Sequence, residues 1–239
     1  MTTENEFQWD DILIVGDSFC SVRDTKDSWP QIVACELTKL KFDSSRLPRG
    51  KGFPGGAWWA YRKVLVEELK AKTPKVLIVC HTDTSRIPND NNYSLNSVTV
   101  EHRLNKSTAK KEANDIPLSV VQAAHLYYNE LFSHEFNEWA NLQWFKELDE
   151  LCSEYKIEKV IHLYCFGGEY SKYTFENGLT IGAPLIDYAE KAKTIFLSLK
   201  TKVINHFTVK GNKLFAKSIV ELVNGYPGNI RIEKKLIWN

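Results

Sequence analysis

Apolar positions along the chain fall into two kinds of run. Short unbroken runs, "ILIV" (12–15), "KVLIVC" (75–80), "EKVIHLYCF" (158–166) and "TKVIN" (201–205), read as buried strands. Longer stretches repeat their apolar residues at helical spacing. In "DSWPQIVACELTKL" (27–40), Trp29, Ile32, Val33, Leu37 and Leu40 share one face, and Pro30 sits in the first turn, where proline is tolerated. "GGAWWAYRKVLVEELKAKT" (55–73) is a glycine turn followed by a helix that ends before Pro74. Further helices are expected over 117–132, 137–155 and 208–223, the last with Thr208 as its cap. Strands without polar alternation, separated by helices, predict a mainly parallel sheet covered on both faces, a three-layer α/β/α sandwich. The stretch 87–116 breaks the pattern. It is rich in Asn, Ser and Lys, reads as too polar for core, and leaves a strand's carboxyl end, where it could form a lid.

In such sheets ligands collect beyond the carboxyl ends of the strands. That rule selects Asp17-Ser18, Gly55-Gly56, the run from His81 to Arg86, the run from Phe166 to Glu169, and Asn205-His206. Ser18 is a candidate nucleophile, which needs a base and donors for an oxyanion; the alternative is a turn serine. Of the six histidines, His81 and His206 lie at strand ends and compete as the base, and position alone does not decide between them. His162 is inside a strand and reads as core, His125 and His134 as helix surface, and His102 falls in the polar excursion. Gly55-Gly56 opens a helix, a place where backbone N–H groups meet anions; a plain tight turn explains the pair as well. The aromatics of "AWWAYR" could stack on a sugar ring, although their spacing equally fits a core face.

Composition narrows the picture further. With 31 Lys plus Arg against 30 Asp plus Glu, the net charge of +1 gives no reason to expect a nucleic-acid partner. No apolar run approaches the roughly 20 residues of a membrane helix. The start "MTTENEFQWD" has no secretory pattern, so a cytoplasmic protein is expected. The five cysteines (Cys20, Cys35, Cys80, Cys152 and Cys165) show no CxxC spacing and are read as reduced thiols, with no metal expected. "GFPGGAWW" lacks a P-loop ending and "GDSFCSV" lacks GxGxxG, so no nucleotide cofactor is expected, and a flavodoxin-like nucleotide binder is the least favoured reading.

Taken together, "ILIVGDSFC", "GFPGGAWWAYRKVL" and "NHFTVKGNKLFAKSIVEL" resemble the first, second and last blocks of the GDSL, or SGNH, hydrolases, in order and across nearly the whole chain. "DSWPQIVACEL" also resembles SGNH-like proteins of tailed phages. The resemblance implies the SGNH hydrolase fold over one domain, 1–239, with a flavodoxin-like central sheet and an insertion or lid at about 87–116. It implies a serine esterase acting on O-acetyl or short-acyl esters, small or carried on a glycan. Ser18 would be the nucleophile and His206 the general base. The oxyanion would be held by the N–H groups of Ser18 and Gly55, with Gly56 as the adjacent alternative. The chain departs from the family in two places. Val203 stands where an aspartate usually orients the histidine, leaving Asn205, a backbone carbonyl, a distant carboxylate such as Asp187, or nothing. "HTDTSR" stands where an asparagine usually completes the oxyanion hole, so Thr82 or Thr84 would have to donate. Asp83 cannot donate while ionised. Asp17, Asp83 and Arg86 are further candidates for orienting the site or binding an acidic substrate. Those departures keep a second expectation open: an impaired SGNH-like binding or assembly protein, located in the host cytoplasm or the virion if phage-encoded.

Overall fold

The computed structural model describes residues 7–21, 27–43, 48–91, 93–105, 116–167, 173–190 and 207–233. Six parallel strands form one sheet: β1 (Ile12–Asp17), β2 (Gly52–Phe53), β3 (Val76–His81), β4 (Lys159–Tyr164), β5 (Leu179–Ile181) and β6 (Arg231–Ile232). Their spatial order is β2-β1-β3-β4-β5-β6. Six α-helices accompany them: α1 (Trp29–Thr38), α2 (Trp58–Ala71), α3 (Ser97–Asn105), α4 (Leu118–Leu126), α5 (His134–Glu154) and α6 (Val209–Asn224). The architecture is α/β, an all-parallel sheet with helices on both faces, as the unbroken apolar strands require.

The absence of alternation in those strands has a direct cause. Ile12, Ile14, Val76, Ile78, Cys80, Ile161 and Leu163 enter one core with Trp29, Val33 and Leu37 of α1 and Phe215, Ile219 and Val223 of α6. Their neighbours in sequence, Leu13, Val15, Leu77, Val79 and Val160, enter a second core with Tyr61, Leu65 and Leu69 of α2 and Trp144, Phe145 and Leu148 of α5. Successive side chains point to opposite faces, and both faces are buried. Register is continuous from Ile12 opposite Val76 to Gly16 opposite Cys80, and from Val76 opposite Lys159 to His81 opposite Tyr164. The direction of strand order reverses between β1 and β3. That reversal places the ligand crevice of this topology at the ends of these two strands, where Asp17 and His81 stand.

Several details depart from the sequence reading. Strand β2 and the short β5 and β6 were not anticipated; three residues or fewer leave too little periodicity to see. The strand expected at 201–205 lies outside the described residues. The helix expected over 117–132 is α-helical only to Leu126 and continues as a π-helical turn from Tyr127 to Leu131. The excursion at 87–116 is not purely polar surface: it contains α3, and Leu95 and Val100 are buried with Val121 and Ala124 of α4 in a small core of their own. Thr208 caps α6, its side chain accepting from the Gly211 N–H at 3.1 Å. At the start of α1 the corresponding service comes from elsewhere: the Trp29 N–H donates to Asn212 Oδ1 of α6 at 3.1 Å. The two helices on that face are thereby joined at their first turns.

Gly16, in the last turn of β1 before the polar residues, has φ +139° and passes close to β3. A Cβ there would stand 2.1 Å from the Cys80 carbonyl oxygen. Gly16→Ala is therefore expected to destabilise the fold by roughly 3 kcal/mol, from backbone strain together with the clash. A urea midpoint within error of wild type would contradict this.

Candidate functional site

Strand β1 delivers Asp17 and Ser18 to the crevice, and a short 3₁₀ turn over Ser18–Cys20 follows at once. The turn is held from below. Cys20 Sγ donates to the Asp17 carbonyl at 3.1 Å, and Trp29 Nε1 donates to the Phe19 carbonyl at 2.6 Å. The Phe19 ring meets Phe166 edge-on at 6.1 Å and Phe207 at 5.5 Å. Phe166 comes from the end of β4, and Phe207 immediately precedes Thr208, the cap of α6. One aromatic residue beside Ser18 thus gathers three distant parts of the chain.

The centre of the site is the Asp17 carboxylate, which is fully buried. Ser18 Oγ donates to Asp17 Oδ1 at 2.6 Å. Thr82 Oγ1 donates to Oδ2 at 2.6 Å, and Arg86 Nη1 donates to the same oxygen at 2.5 Å. Arg86 Nη1 also lies 2.8 Å from Thr82 Oγ1 and 3.2 Å from the Gly56 carbonyl. Ser18, Thr82 and Arg86 are only 7%, 6% and 8% exposed. The Arg86 guanidinium lies over the Phe166 ring, 5.3 Å from its centre. A buried carboxylate needs a cation and hydrogen bonds together, and here it has both.

Three sequence candidates, Ser18, Thr82 and Arg86, therefore meet at Asp17. The others are placed differently. The Thr82 hydroxyl has one proton, and the charged Asp17 oxygen at 2.6 Å takes it in preference to the Gly56 carbonyl at 3.1 Å. The Gly56 N–H donates to the Phe53 carbonyl at 3.1 Å, closing a turn, while among the described residues the Gly55 N–H meets no acceptor. Thr84 offers its carbonyl to Asn141 of α5 at 3.2 Å, and its hydroxyl has no partner among the described residues. Asp83 turns away from Ser18. Its Oδ1 accepts from the Ser85 N–H and hydroxyl at 2.9 and 2.8 Å, and its Oδ2 accepts from Asn96 Nδ2 at 3.0 Å. Asn205, His206, Val203 and Glu169 lie outside the described residues.

His81 ends β3 beside Asp17 but faces the second core. Its ring lies among Phe145, Tyr164, Phe175 and His162, with centroids 5.1 to 5.4 Å away. Its proton can be located by following the hydrogen bonds. His162 Nε2 lies 2.9 Å from the Asn177 carbonyl, which can only accept, so that nitrogen carries the hydrogen. In the neutral ring Nδ1 of His162 is then an acceptor, and His81 Nε2, 3.2 Å away, donates to it. Burial lowers the pKa of both histidines, that of His81 well below the usual range and that of His162 to about 3. His81 is thus spent in a neutral, aromatic-packed pair. His102 and His134 are exposed, and His125 is half-buried on α4 with its ring nitrogen 3.0 Å from Asn129 Nδ2.

The aromatics of "AWWAYR" divide between core and surface. Trp58 stacks on Trp144 at 5.8 Å and Tyr61 is buried, whereas Trp59 is half-buried with the cations of Arg62 and Lys63 over its ring. Among the described residues, no group of His, Cys, Asp and Glu could hold a metal ion, and no helix is long and apolar enough to cross a membrane. Comparisons with family models, curated proteins and solved structures found no match for this chain.

Two contributors were not singled out from the sequence. Asn212 joins α6 to α1, and Asn96 engages Asp83. Each bonds across the fold, so no local pattern announces it, although an asparagine in the first turn of a helix is a recurrent capping signal.

Removing Arg86 leaves the buried Asp17 charge without its cation. Arg86→Met is expected to cost about 3–5 kcal/mol in urea unfolding. Asp17→Asn combined with Arg86→Met should recover much of that loss, and strictly additive effects would show that the two residues do not act as a pair. The histidine pair predicts a pH dependence of stability. Its folded pKa values lie below the unfolded value of about 6.5, so the unfolded chain takes up protons that the folded chain refuses. Stability present above that value is lost as pH falls towards 3. At pH 5 the His162 share is roughly 2 kcal/mol. His162→Gln, which keeps a donor for Asn177, should lose about that much less than wild type between pH 7.5 and 5. Parallel pH profiles would refute the assignment.

Proposed function

We propose that the chain is a serine ester hydrolase of SGNH type, acting on short acyl esters such as O-acetyl groups, on small molecules or on glycans. The observation that carries this reading is the position of Ser18. It directly follows a central parallel strand at the reversal of strand order and is held in an ordered polar cluster. Phe207, the first described residue after the candidate base His206, packs on Phe19, the residue after Ser18. His81, the rival base, is occupied in the second core.

In this reading His206 accepts the Ser18 proton while Ser18 Oγ attacks the acyl carbon. The carbonyl oxygen takes the electron pair, with the N–H groups of Ser18 and Gly55 as its donors. His206 then protonates the departing alcohol, leaving an acyl-serine. Water, deprotonated by the same imidazole, releases the acid and restores the serine. No metal or cofactor enters the scheme.

One observation favours a second reading, a binding or assembly protein. The single Ser18 hydroxyl proton is directed at Asp17 Oδ1 at 2.6 Å, and while it is there it does not serve a histidine. Hydrolysis of p-nitrophenyl acetate decides between the two. Ser18→Ala is expected to lose roughly 100-fold or more in kcat/KM, and a fluorophosphonate probe should label wild type at Ser18 near neutral pH. Equal rates for wild type and Ser18→Ala, with no labelling, would leave the binding reading standing.

A further inference from the structure

The polar excursion brings one hydroxyl beside Gly55. Gly55 has φ +72°, and a Cβ placed on it would stand 2.2 Å from Ser94 Cβ and 2.3 Å from Ser94 Oγ. Ser94 therefore fills the space that a side chain at position 55 would take. Its hydroxyl makes no hydrogen bond among the described residues, and the residue is only half-buried.

The segment around Ser94 is rigidly held. The Tyr93 N–H donates to Asn89 Oδ1 at 2.7 Å, and Asn89 Nδ2 returns a bond to the Tyr93 carbonyl at 3.0 Å. Leu95 is buried, and its carbonyl accepts from the Ile87 N–H at 2.9 Å. Asn96 is anchored to Asp83 at 3.0 Å. Fixed neighbours on both sides give Ser94 the preorganisation that makes a donor effective towards developing charge.

Of the other candidate donors, Thr84 keeps an unpartnered hydroxyl among the described residues, but its carbonyl is held towards Asn141 of α5, and three more are excluded. The Thr82 proton goes to Asp17, the Gly56 N–H goes to Phe53, and Asp83 can only accept. Among the described residues neither the Gly55 N–H nor the Ser94 hydroxyl has a partner, and Ser94 packs directly against Gly55. We propose that Ser94 Oγ donates to the oxyanion alongside the Gly55 N–H, so that the excursion supplies the donor missing from "HTDTSR". The assignment rests on the hydrolase reading. When the bond from Ser18 Oγ to the acyl carbon forms, the proton passes to His206 and the electron pair to the carbonyl oxygen, which Ser94 meets with its O–H.

Steady-state kinetics on p-nitrophenyl acetate test this. Ser94→Ala is expected to lower kcat about 100-fold with KM nearly unchanged, and to slow fluorophosphonate inactivation in parallel. Its melting temperature should match wild type, because the hydroxyl bonds to no described residue in the resting fold. Ser94→Thr, which keeps the hydroxyl, should recover most of the rate. Wild-type kcat in Ser94→Ala overturns the assignment, as does a Ser94→Thr enzyme no better than the alanine variant. A loss in Thr84→Val with none in Ser94→Ala gives the donor role to Thr84 and overturns it as well. A wild-type chain without Ser18-dependent turnover overturns the hydrolase reading, and this assignment falls with it.

Discussion

A carboxylate with no solvent contact sits at the end of the central strand, and the surrounding chain is arranged to satisfy it. Asp17 accepts from Ser18, Thr82 and Arg86. These partners come from the turn after β1 and from the loop after β3. Arg86 and Thr82 also reach the Gly56 carbonyl, so the same cluster fixes the turn ahead of α2. Leaving any of these groups buried and unpaired costs far more than each bond contributes net. The three loops are therefore coupled, and the crevice has one favoured arrangement.

The parts of the fold that were legible in the sequence are those governed by local periodicity. "ILIV" and "VLIVC" could be assigned because both of their faces are buried, and α6 because Thr208 precedes a clear apolar stripe. Strands β5 and β6 owe their pairing to neighbouring strands rather than to any pattern of their own. The burial of Leu95 and Val100 was hidden by the polar residues between them, since their partners on α4 lie about twenty residues or more further along. Within the site, Asp17, Ser18, Thr82 and Arg86 could be picked out by the strand-end rule. Their grouping could not, because whether Arg86 meets Asp17 or Asp83 depends on which way the 82–86 turn folds. The structure shows why it meets Asp17. Asp83 is occupied by Ser85 within the turn and by Asn96 across the excursion.

The excursion is thus part of the site's framework. Asn141 of α5 holds the Thr84 carbonyl, and Tyr128 donates its single hydroxyl proton to the Ser85 carbonyl at 2.6 Å, with the Leu95 carbonyl 3.0 Å from the same oxygen. The loop after β3 and the excursion that follows it thus meet at Tyr128. A charged residue beside an oxyanion would normally oppose catalysis, yet Asp83 is turned into a tether and Asp17 is matched by Arg86. Under the proposed reading, that arrangement leaves Asp17 as the carboxylate in contact with the serine, with Arg86 as its counter-charge.

The contact between Ser18 and Asp17 can then be weighed as an energy. A hydrogen bond to a charged group is worth about 1.5–3 kcal/mol net. Turning the hydroxyl away from Asp17 towards a base would slow reaction by roughly 10- to 150-fold if nothing replaced the bond. Thr82 and Arg86 already occupy the other carboxylate oxygen, so Asp17 keeps two donors after the hydroxyl leaves, and the cost falls towards the lower figure. Enzymes lower barriers by about 8–23 kcal/mol, against which such a penalty is small. The resting hydrogen bond therefore holds Ser18 in place without disqualifying it as a nucleophile, and the Arg86 guanidinium is the group that keeps that penalty small.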